Sequence, residues 1–325
     1  MEKPVAGIHH VTAIASDPQR NLDFYTQVLG LRLVKRTVNF DDPGTYHFYF
    51  ANEVGTPGTI LTFFPWPGAA RGRIGVGQVT VTSFSVPEGS LKYWEEHLMQ
   101  AGASVEKSAK RLGEEVLAVA DPDGLKIELI ASPWTRETHP WSGSAIPAQH
   151  AVHGFHSVTL SEQGYERTAK LLATMGFRKV AEEGNRFRFE VGEGGPGARA
   201  DVLCVSEAPQ GRLGAGTVHH VAWRAADDDA QKSWRQRLVE NDLDVTPVMD
   251  RCYFHSIYFR EPGGVLFELA TDPPGFAIDE PVRTLGESLK LPIWLERYRA
   301  EIEKVLPTIE LHTSGKDYEL GKSAS

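Results

Sequence analysis

The sequence has little cysteine, no long apolar run and no block of positive charge. Its 325 residues include only two cysteines, Cys204 and Cys252, which lack CxxC spacing and are too few for a disulfide framework. No stretch approaches the ~18 consecutive apolar residues of a transmembrane helix. The N-terminal MEKPVAGIHH also lacks the basic and apolar regions of a signal peptide. We therefore predict a cytoplasmic protein with two buried free thiols.

The charge balance of the chain is acidic. There are 34 Lys and Arg residues against 43 Asp and Glu residues, which gives a formal net charge of -9 at pH 7. Because no local basic block compensates for this charge, nucleic acid is an unfavourable partner and a small molecule is favoured. The length favours two compact domains and leaves open whether the chain forms a homo-oligomer.

A strand, helix and strand pattern returns about every 70 residues and occurs four times. Each opening strand is followed by a segment of helical periodicity, and then by β-rich stretches broken by turn residues. The repeated unit is therefore predicted to be a β-α-β-β-β module. The four opening strands are predicted at Gly7–Ile14, Gly77–Phe84, Gly154–Leu160 and Thr217–Arg224.

Four such modules predict an α+β fold with two tandem domains. A stretch rich in Pro, Ser, Gly and His separates the second module from the third and is interpreted as a linker. We place the N-terminal domain at residues 1–135, the linker at 136–152 and the C-terminal domain at 153–280. Residues 281–325 form an extension and tail, in which the amphipathic stretch Leu291–Leu306 predicts an additional helix.

Adjacent histidines occur in two of the opening strands, and strand geometry indicates which histidine of each pair faces the cleft. Alternate residues of a strand point to opposite faces. Aligning the four strands places His10 and His220 in the polar phase, and the opposite phase is apolar, as expected for a face covered by a helix. In the second and third copies this alignment assigns the same position to Gln78 and Ser157.

Glu268 alternates with Phe267 and Leu269 in the last predicted strand, where a carboxylate is costly unless it is paired or bound to metal. Two imidazoles and one carboxylate form a facial triad that leaves metal positions open for dioxygen and substrate. We therefore predict a metal site of His10, His220 and Glu268, with Fe(II) as the first choice and Mn(II) as the second.

Other candidate ligands lack this joint pattern. Glu128 occupies the repeat position of Glu268, but its own copy offers Gln78 and the partner copy offers Ser157 at the aligned histidine position, so it is predicted to be salt-bridged or surface-facing. Six other histidines have no such pattern and are predicted to have ordinary structural roles: His47, His97, His139, His150, His153 and His255.

Two segments, GIHHVTAI at residues 7–14 and HSIYFREPGGVLFELATDPPGF at residues 255–276, resemble the vicinal oxygen chelate superfamily of glyoxalases, bleomycin-binding proteins and extradiol dioxygenases. The resemblance covers residues 7–280. The division of ligands between the first and fourth modules is similar to that of the hydroquinone ring-cleaving dioxygenases, whereas common catechol dioxygenases place all three ligands in the C-terminal half. The resemblance implies a small aromatic substrate and O2, with both oxygen atoms inserted into a hydroquinone-type diol.

The resemblance also implies roles beside the metal for Thr12, His219, Arg251 and Tyr258. Arg251 and Tyr258 would support charge on a bound phenolate, and His219 or Tyr258 would move protons. Strand alternation points His219 away from His220. His219 therefore reaches the cleft only if the strand bulges or its ring lies at the rim.

Three alternatives stay open from the sequence. One is a catechol extradiol dioxygenase with a similar metal. Another is a glyoxalase-type lyase or isomerase, which is disfavoured because Thr62, and not a second carboxylate, occupies the matching last-strand position of the first copy. The third is a drug-binding resistance protein, which needs no metal triad.

Overall fold

The computed structural model describes residues 5–133 and 139–312, in which two eight-stranded sheets are covered by helices. The strands are β1 Ile8–Ala15, β2 Arg32–Asn39, β3 Asp42–Ala51, β4 Ile60–Pro65, β5 Gln78–Val86, β6 Ser104–Arg111, β7 Glu114–Ala120, β8 Lys126–Ala131, β9 Gly154–Glu162, β10 Phe177–Glu183, β11 Arg186–Val191, β12 Arg199–Cys204, β13 Thr217–Ala225, β14 Met249–Asp250, β15 Phe254–Arg260 and β16 Leu266–Pro274. The α-helices are α1 Pro18–Asp23, α2 Leu91–Gln100, α3 Glu166–Thr174, α4 Asp228–Glu240 and α5 Arg299–Val305.

The predicted order of one strand, one helix and three strands is confirmed in all four modules. The start of α1 shows how the sequence sets these boundaries. The Asp17 side chain accepts a hydrogen bond from the Arg20 backbone N–H, and Pro18 occupies a position where its missing N–H costs nothing. A π-helical turn at Phe24–Val28 continues α1, and Gly30 follows with φ +70°, as a left-handed helix stop requires.

Each sheet joins two modules, one from each half of the chain. The first has the strand order β14-β15-β16-β13-β1-β4-β3-β2 and combines the fourth and first modules. The second has the order β10-β11-β12-β9-β5-β8-β7-β6 and combines the third and second modules. The proposed domains, residues 1–135 and 153–280, are each continuous in the sequence. Each sheet, however, contains strands from both of them.

The central pair of the first sheet, β1 and β13, is antiparallel and contains both histidine pairs. His10 lies opposite Ala222, and Thr12 lies opposite His220. The ladder skips His9 on β1 and His219 on β13, so each strand has a bulge at the first histidine of its pair. These bulges decide which side chains reach the cleft.

The second sheet corrects one alignment made from the sequence. Ala222 pairs with Glu268, and Ser83 pairs in the same way with Glu128. Ala222 and Ser83 are therefore equivalent residues. His220 lies two residues before Ala222, and Val81 lies two residues before Ser83, so Val81 and not Gln78 occupies the position of His220. Strand alternation failed here because β5 has its own bulge at Thr80, which the ladder with β9 skips.

The C-terminal helix is shorter than the predicted stretch Leu291–Leu306. A 3-10 turn at Glu296–Tyr298 leads into α5, which begins at Arg299. Pro292 disfavours helical geometry at Leu291, the first residue of that stretch. The tail beyond residue 312 lies outside the described residues.

Two predictions about the chain as a whole can be compared with the structure. Cys204 and Cys252 are free thiols, as predicted, although both are only partly buried. Among the helices of the described ranges, none is long and apolar enough to cross a membrane.

Candidate metal centre

His10, His220 and Glu268 converge on one point at the centre of the first sheet. The two Nε2 atoms of the histidines lie 3.3 Å apart, and Glu268 Oε2 lies 3.3 Å from His10 Nε2 and 2.9 Å from His220 Nε2. All three side chains are buried. The neighbouring strands β1, β13 and β16 bring these residues together, which is the arrangement predicted from their matching repeat positions.

A second histidine lies beside each histidine of the cluster. The Nδ1 atoms of His9 and His10 are 2.9 Å apart, and those of His219 and His220 are 2.8 Å apart. Burial, together with the adjacent His220, lowers the pKa of His219 to about 3, so this ring is neutral at pH 7. Burial also lowers the pKa of His9 and His220. The short Nδ1–Nδ1 distances require one ring of each pair to donate from Nδ1 and the other to accept.

The donor set fits a divalent cation. When His10 and His220 carry their protons on Nδ1 and donate to the neighbouring histidines, both Nε2 lone pairs face Glu268. Ser256 Oγ donates to Glu268 Oε1, whereas Oε2 is buried and accepts no hydrogen bond. A buried carboxylate oxygen without a donor is costly. Two imidazole nitrogens around it supply the ligands of a facial triad.

A cavity of about 320 Å³ opens beside this cluster. Its walls are rich in aromatic side chains, which suit a ring-shaped ligand. The lining residues are His10, Thr12, Asn39, Phe40, Asp41, His47, Tyr49, Phe64, Trp66, His219, His220, Arg251, Phe254, Tyr258 and Leu266.

The residues implied to act beside the metal all line this cavity: Thr12, His219, Arg251 and Tyr258. The bulge in β13 explains His219, whose ring packs edge-on against Phe64 with centroids 5.9 Å apart. His219 therefore reaches the cleft because β13 bulges at this residue, which is one of the two conditions stated from the sequence.

Arg251 and Tyr258 form a cationic and hydrogen-bonding side of the cavity. Arg251 Nε donates to Tyr258 Oη at 3.3 Å, and its two terminal nitrogens each lie 3.3 Å from Asp41 Oδ2. Burial and the nearby Glu268 raise the pKa of Tyr258, so its hydroxyl keeps its proton at neutral pH. This side of the cavity therefore offers a fixed positive charge and a phenolic donor.

Three residues near the cluster were not found by sequence reasoning. His47 was predicted to be structural, but it lines the cavity together with Tyr49, and His9 orients His10. A signal for His47 and Tyr49 was present in β3, where they alternate with the buried aromatics Phe48 and Phe50. His47 has no counterpart at the matching position of another module, so repetition does not reveal it.

Other predictions agree with the structure. Glu128 is salt-bridged, as predicted, since both of its oxygens accept from Arg111 and Oε2 also accepts from Ser83. Ordinary contacts are made by three of the histidines predicted to be structural. His97 bonds the Val28 carbonyl, His150 bonds Ser90 and His255 pairs with Asp228.

Comparison with known proteins agrees with this geometry. The model of the Glyoxalase/Bleomycin resistance protein/Dioxygenase superfamily matches residues 7–129 and 132–269. The chain belongs to this superfamily.

Similar members of the superfamily cover almost the whole chain. The Bacillus subtilis (strain 168) protein named "Putative ring-cleaving dioxygenase MhqO" is 48% identical over 314 residues, which are 96% of this chain and 99% of that protein. The chlorohydroquinone/hydroquinone 1,2-dioxygenase of Sphingobium indicum is 35% identical over 311 residues, covering 93% of this chain and 96% of that protein. A crystal structure of a "putative dioxygenase" from Bacillus subtilis superposes with a TM-score of 0.91 at 47% identity, over 95% of this chain and 99% of that one.

Proposed function

We propose that this protein is a metal-dependent ring-cleaving dioxygenase that inserts both atoms of O2 into a hydroquinone-type aromatic diol. The observation that carries this proposal is the convergence of His10, His220 and Glu268 beside an aromatic cavity. The side of this metal site that faces the cavity would accept both the substrate and O2. Fe(II) is the preferred metal, because the two-histidine, one-carboxylate triad suits non-haem iron oxygenases, and Mn(II) is the second choice.

Bound Fe(II) would supply Lewis acidity toward a substrate hydroxyl and redox chemistry with O2. The protein itself binds and orients the ring. Phe64 and Phe254 contribute apolar wall, and the Arg251 guanidinium stabilises negative charge that develops on substrate oxygen. The Tyr258 hydroxyl is placed to donate a hydrogen bond or a proton at that oxygen.

The substrate class rests on the chemistry of the cavity and on likeness to relatives. A hydroquinone has para hydroxyls, so one oxygen reaches the ligand cluster while the other points to a different part of the wall. The 35% identical relative is named for hydroquinone and chlorohydroquinone, which supports the same class here. A catechol, whose hydroxyls are adjacent, would place both oxygens at the cluster.

A glyoxalase-type reaction is less well supported. Thr12 pairs with Thr62 in the way that Ala222 pairs with Glu268, so the residue equivalent to Glu268 in the first module has no charge. Glyoxalase-type sites typically use a second carboxylate. The three donors found here instead leave positions free for exogenous ligands.

The test is oxygen consumption by protein reconstituted anaerobically with Fe(II), or in parallel with Mn(II), on a panel of hydroquinones and catechols. We expect hydroquinone-dependent oxygen uptake that Glu268→Ala abolishes. Efficient turnover of catechols without turnover of hydroquinones would assign the protein to the extradiol group. No oxygen uptake on either class by metal-loaded protein would refute the dioxygenase proposal.

A further inference from the structure

A continuous chain of hydrogen bonds runs through the cavity wall and involves four side chains. Tyr49 Oη lies 3.0 Å from His47 Nδ1, and His47 Nε2 lies 2.9 Å from Thr62 Oγ1. Thr62 Oγ1 lies 2.8 Å from Thr12 Oγ1. The neighbouring strands β3, β4 and β1 hold these groups in line.

Both ends of this chain open on the same cavity. Thr12 and Tyr49 line it, as does the His47 ring between them, although Thr12, Tyr49 and Thr62 are all buried in the fold. Thr12 lies two residues from His10 on β1 and opposite His220, so its end of the chain is the one beside the ligand cluster. Tyr49, at the other end of the chain, packs against Phe276 and against Phe254, whose ring also packs against His10.

Every group in the chain can both donate and accept a hydrogen bond. Burial lowers the pKa of His47 well below its ordinary value, with His10 and His220 adding to the effect, so the ring is neutral. Burial and, to a smaller extent, the nearby Tyr258 raise the pKa of Tyr49, which therefore keeps its phenolic proton. Hydroxyls and a neutral imidazole each offer one donor and at least one acceptor.

The chain consequently has two polarities. In one, Tyr49 donates to His47 Nδ1, His47 donates from Nε2 to Thr62, and Thr62 donates to Thr12, whose own proton is free to point into the cavity. The structure has Thr62 donating to Thr12, as in this first polarity. In the other, reached when both threonine hydroxyls rotate, Thr12 donates to Thr62, Thr62 donates to His47 Nε2, and His47 donates from Nδ1 to Tyr49, whose proton then points into the cavity. The two states differ in the tautomer of His47.

We propose that this chain is a proton relay, in which Thr12 and Tyr49 exchange protons with the cavity contents while His47 and Thr62 position and connect them. The proposal rests on the proposed function, because the proton comes from a hydroxyl of the diol. Starting from the second polarity, that hydroxyl gives its proton to Thr12 Oγ1, and each member passes its own proton to the next. Tyr49 finally releases a proton to water at its end of the cavity.

This transfer balances without an oxidant or reductant. One substrate O–H bond breaks and one hydronium proton appears, while each relay member gains one proton and loses one. His47 changes from the Nδ1–H to the Nε2–H tautomer. The relay must return from the first polarity to the second before the next cycle, so blocking Thr62 should slow turnover without removing substrate contacts.

The first experiment needs neither metal nor turnover. Long-range nitrogen NMR of histidine-labelled, metal-free protein under anaerobic conditions distinguishes the two His47 tautomers, with hydroquinone itself as the probe. We expect hydroquinone to change the tautomer ratio in the wild type and in Thr62→Ser, but not in Thr62→Val. A ratio that is insensitive to hydroquinone in the wild type, or equally sensitive in Thr62→Val, would overturn the relay.

The second experiment measures turnover of Fe(II)-loaded protein in mixtures of H2O and D2O. We expect a curved dependence of kcat on deuterium fraction in the wild type, because several protons move together. Thr62→Val should lower kcat by ~10²-fold or more, the typical range of proton-transfer catalysis, with little change in KM. In this variant kcat should depend linearly on the deuterium fraction. Thr62→Ser should restore both the rate and the curvature.

Thr80→Val is the matched control. It removes one hydroxyl of the buried Thr80 and Ser161 pair in the second sheet, whose oxygens lie 2.7 Å apart. It should keep wild-type kcat and curvature at equal metal content. Equal kcat and curvature in Thr62→Val and Thr80→Val would refute the relay, whereas absence of oxygen uptake by the wild type would refute the proposed function and leave the tautomer measurement to judge the relay.

Discussion

His10 and His220 are separated by 210 residues in the chain, yet their Nε2 atoms lie 3.3 Å apart. The distance is short because β1 and β13 pair at the centre of one sheet, so the first module and the fourth must meet before the ligand cluster exists. A metal that binds this cluster binds the folded state and stabilises it by mass action. Metal removal should therefore lower the thermal unfolding temperature, in addition to abolishing activity.

Each ligand should be required for metal binding. His10→Ala, His220→Ala and Glu268→Ala each remove one of three donors, so we expect metal affinity to fall by more than the ~10–100-fold that loss of a residue beside the ligands typically costs. Metal per protein chain after anaerobic loading and desalting is the measurement. Near-stoichiometric iron in all three variants would show that the metal lies elsewhere.

Glu128→Gln is the matched control for Glu268, because the two residues occupy equivalent positions in the two sheets. Its carboxylate pairs with Arg111 and serves the structure of the second sheet. We expect this variant to be less stable than the wild type and to bind metal normally. Loss of metal in Glu128→Gln would point to a second metal site.

Tyr258→Phe should separate catalysis from metal binding. The hydroxyl lies in the cavity and accepts a hydrogen bond from Arg251, but it is not one of the three ligand groups. Removing it should lower kcat by ~10²-fold or more if it acts in proton transfer, with unchanged metal content. Parallel steady-state kinetics and metal analysis provide the check, and a variant with wild-type kcat would remove Tyr258 from the mechanism.

In the second sheet, a buried ion network occupies the position that corresponds to the candidate metal centre of the first sheet. Asp201 is paired with Thr159 across neighbouring strands, just as Glu268 is paired with Ala222, so the two acidic residues occupy equivalent positions. The Asp201 carboxylate accepts hydrogen bonds from Arg186 and Arg188. Asp201→Asn leaves these guanidinium groups without their buried partner, so we expect the free energy of unfolding to fall by about 3–5 kcal/mol. Urea unfolding measures the loss, while metal content should not change.

An exposed ion pair provides the comparison for Asp201. Lys92 and Glu96 lie 3.9 Å apart on the outer face of α2, where water screens them. Glu96→Gln should change the free energy of unfolding by less than about 0.5 kcal/mol. Similar losses in Asp201→Asn and Glu96→Gln would contradict the structural role of the buried network.

The sequence predicted the module order and the convergence of the three candidate ligands, largely because both depend on repetition. His10 and His220 recur at matching positions, and Glu268 interrupts an apolar strand in the fourth module. Strand bulges were not predictable in the same way. The extra residue at Thr80 reverses the alternation of β5, which is why Gln78 was assigned a position that Val81 occupies.

His47 shows a second limit of the sequence. Its role depends on hydrogen bonds to Tyr49 and Thr62, and the Thr62 bond joins two strands whose pairing register a histidine count does not reveal. The register is fixed by the packing of Phe48 and Phe50 on the opposite face of β3. His47 alone in the sequence is an ordinary strand residue, and only the folded sheet places it in the cavity.

Glu162, at the end of β9, is a buried carboxylate in contact with a second one. Its side chain is fully buried and neither of its oxygens has a hydrogen-bond donor in the described part of the chain. The neighbouring Glu261 is better satisfied, since it accepts from Thr168 Oγ1 and the Val265 backbone N–H. Burial and the adjacent Glu261 raise the pKa of Glu162 to about 8, although Arg167 opposes the shift.

This raised pKa predicts that stability falls as pH rises. Between about pH 4.5 and pH 8 the folded state holds a proton on Glu162 that the unfolded state has released, so the free energy of unfolding decreases through this range. Glu162→Gln mimics the protonated side chain and should be more stable than the wild type at pH 9, by on the order of a few kcal/mol, but similar to it at pH 5. Urea unfolding from pH 5 to pH 9 measures the difference, with the exposed neighbour Glu166→Gln as the control. Parallel pH dependences for wild type and Glu162→Gln would show that Glu162 is ionised in the folded protein throughout this range.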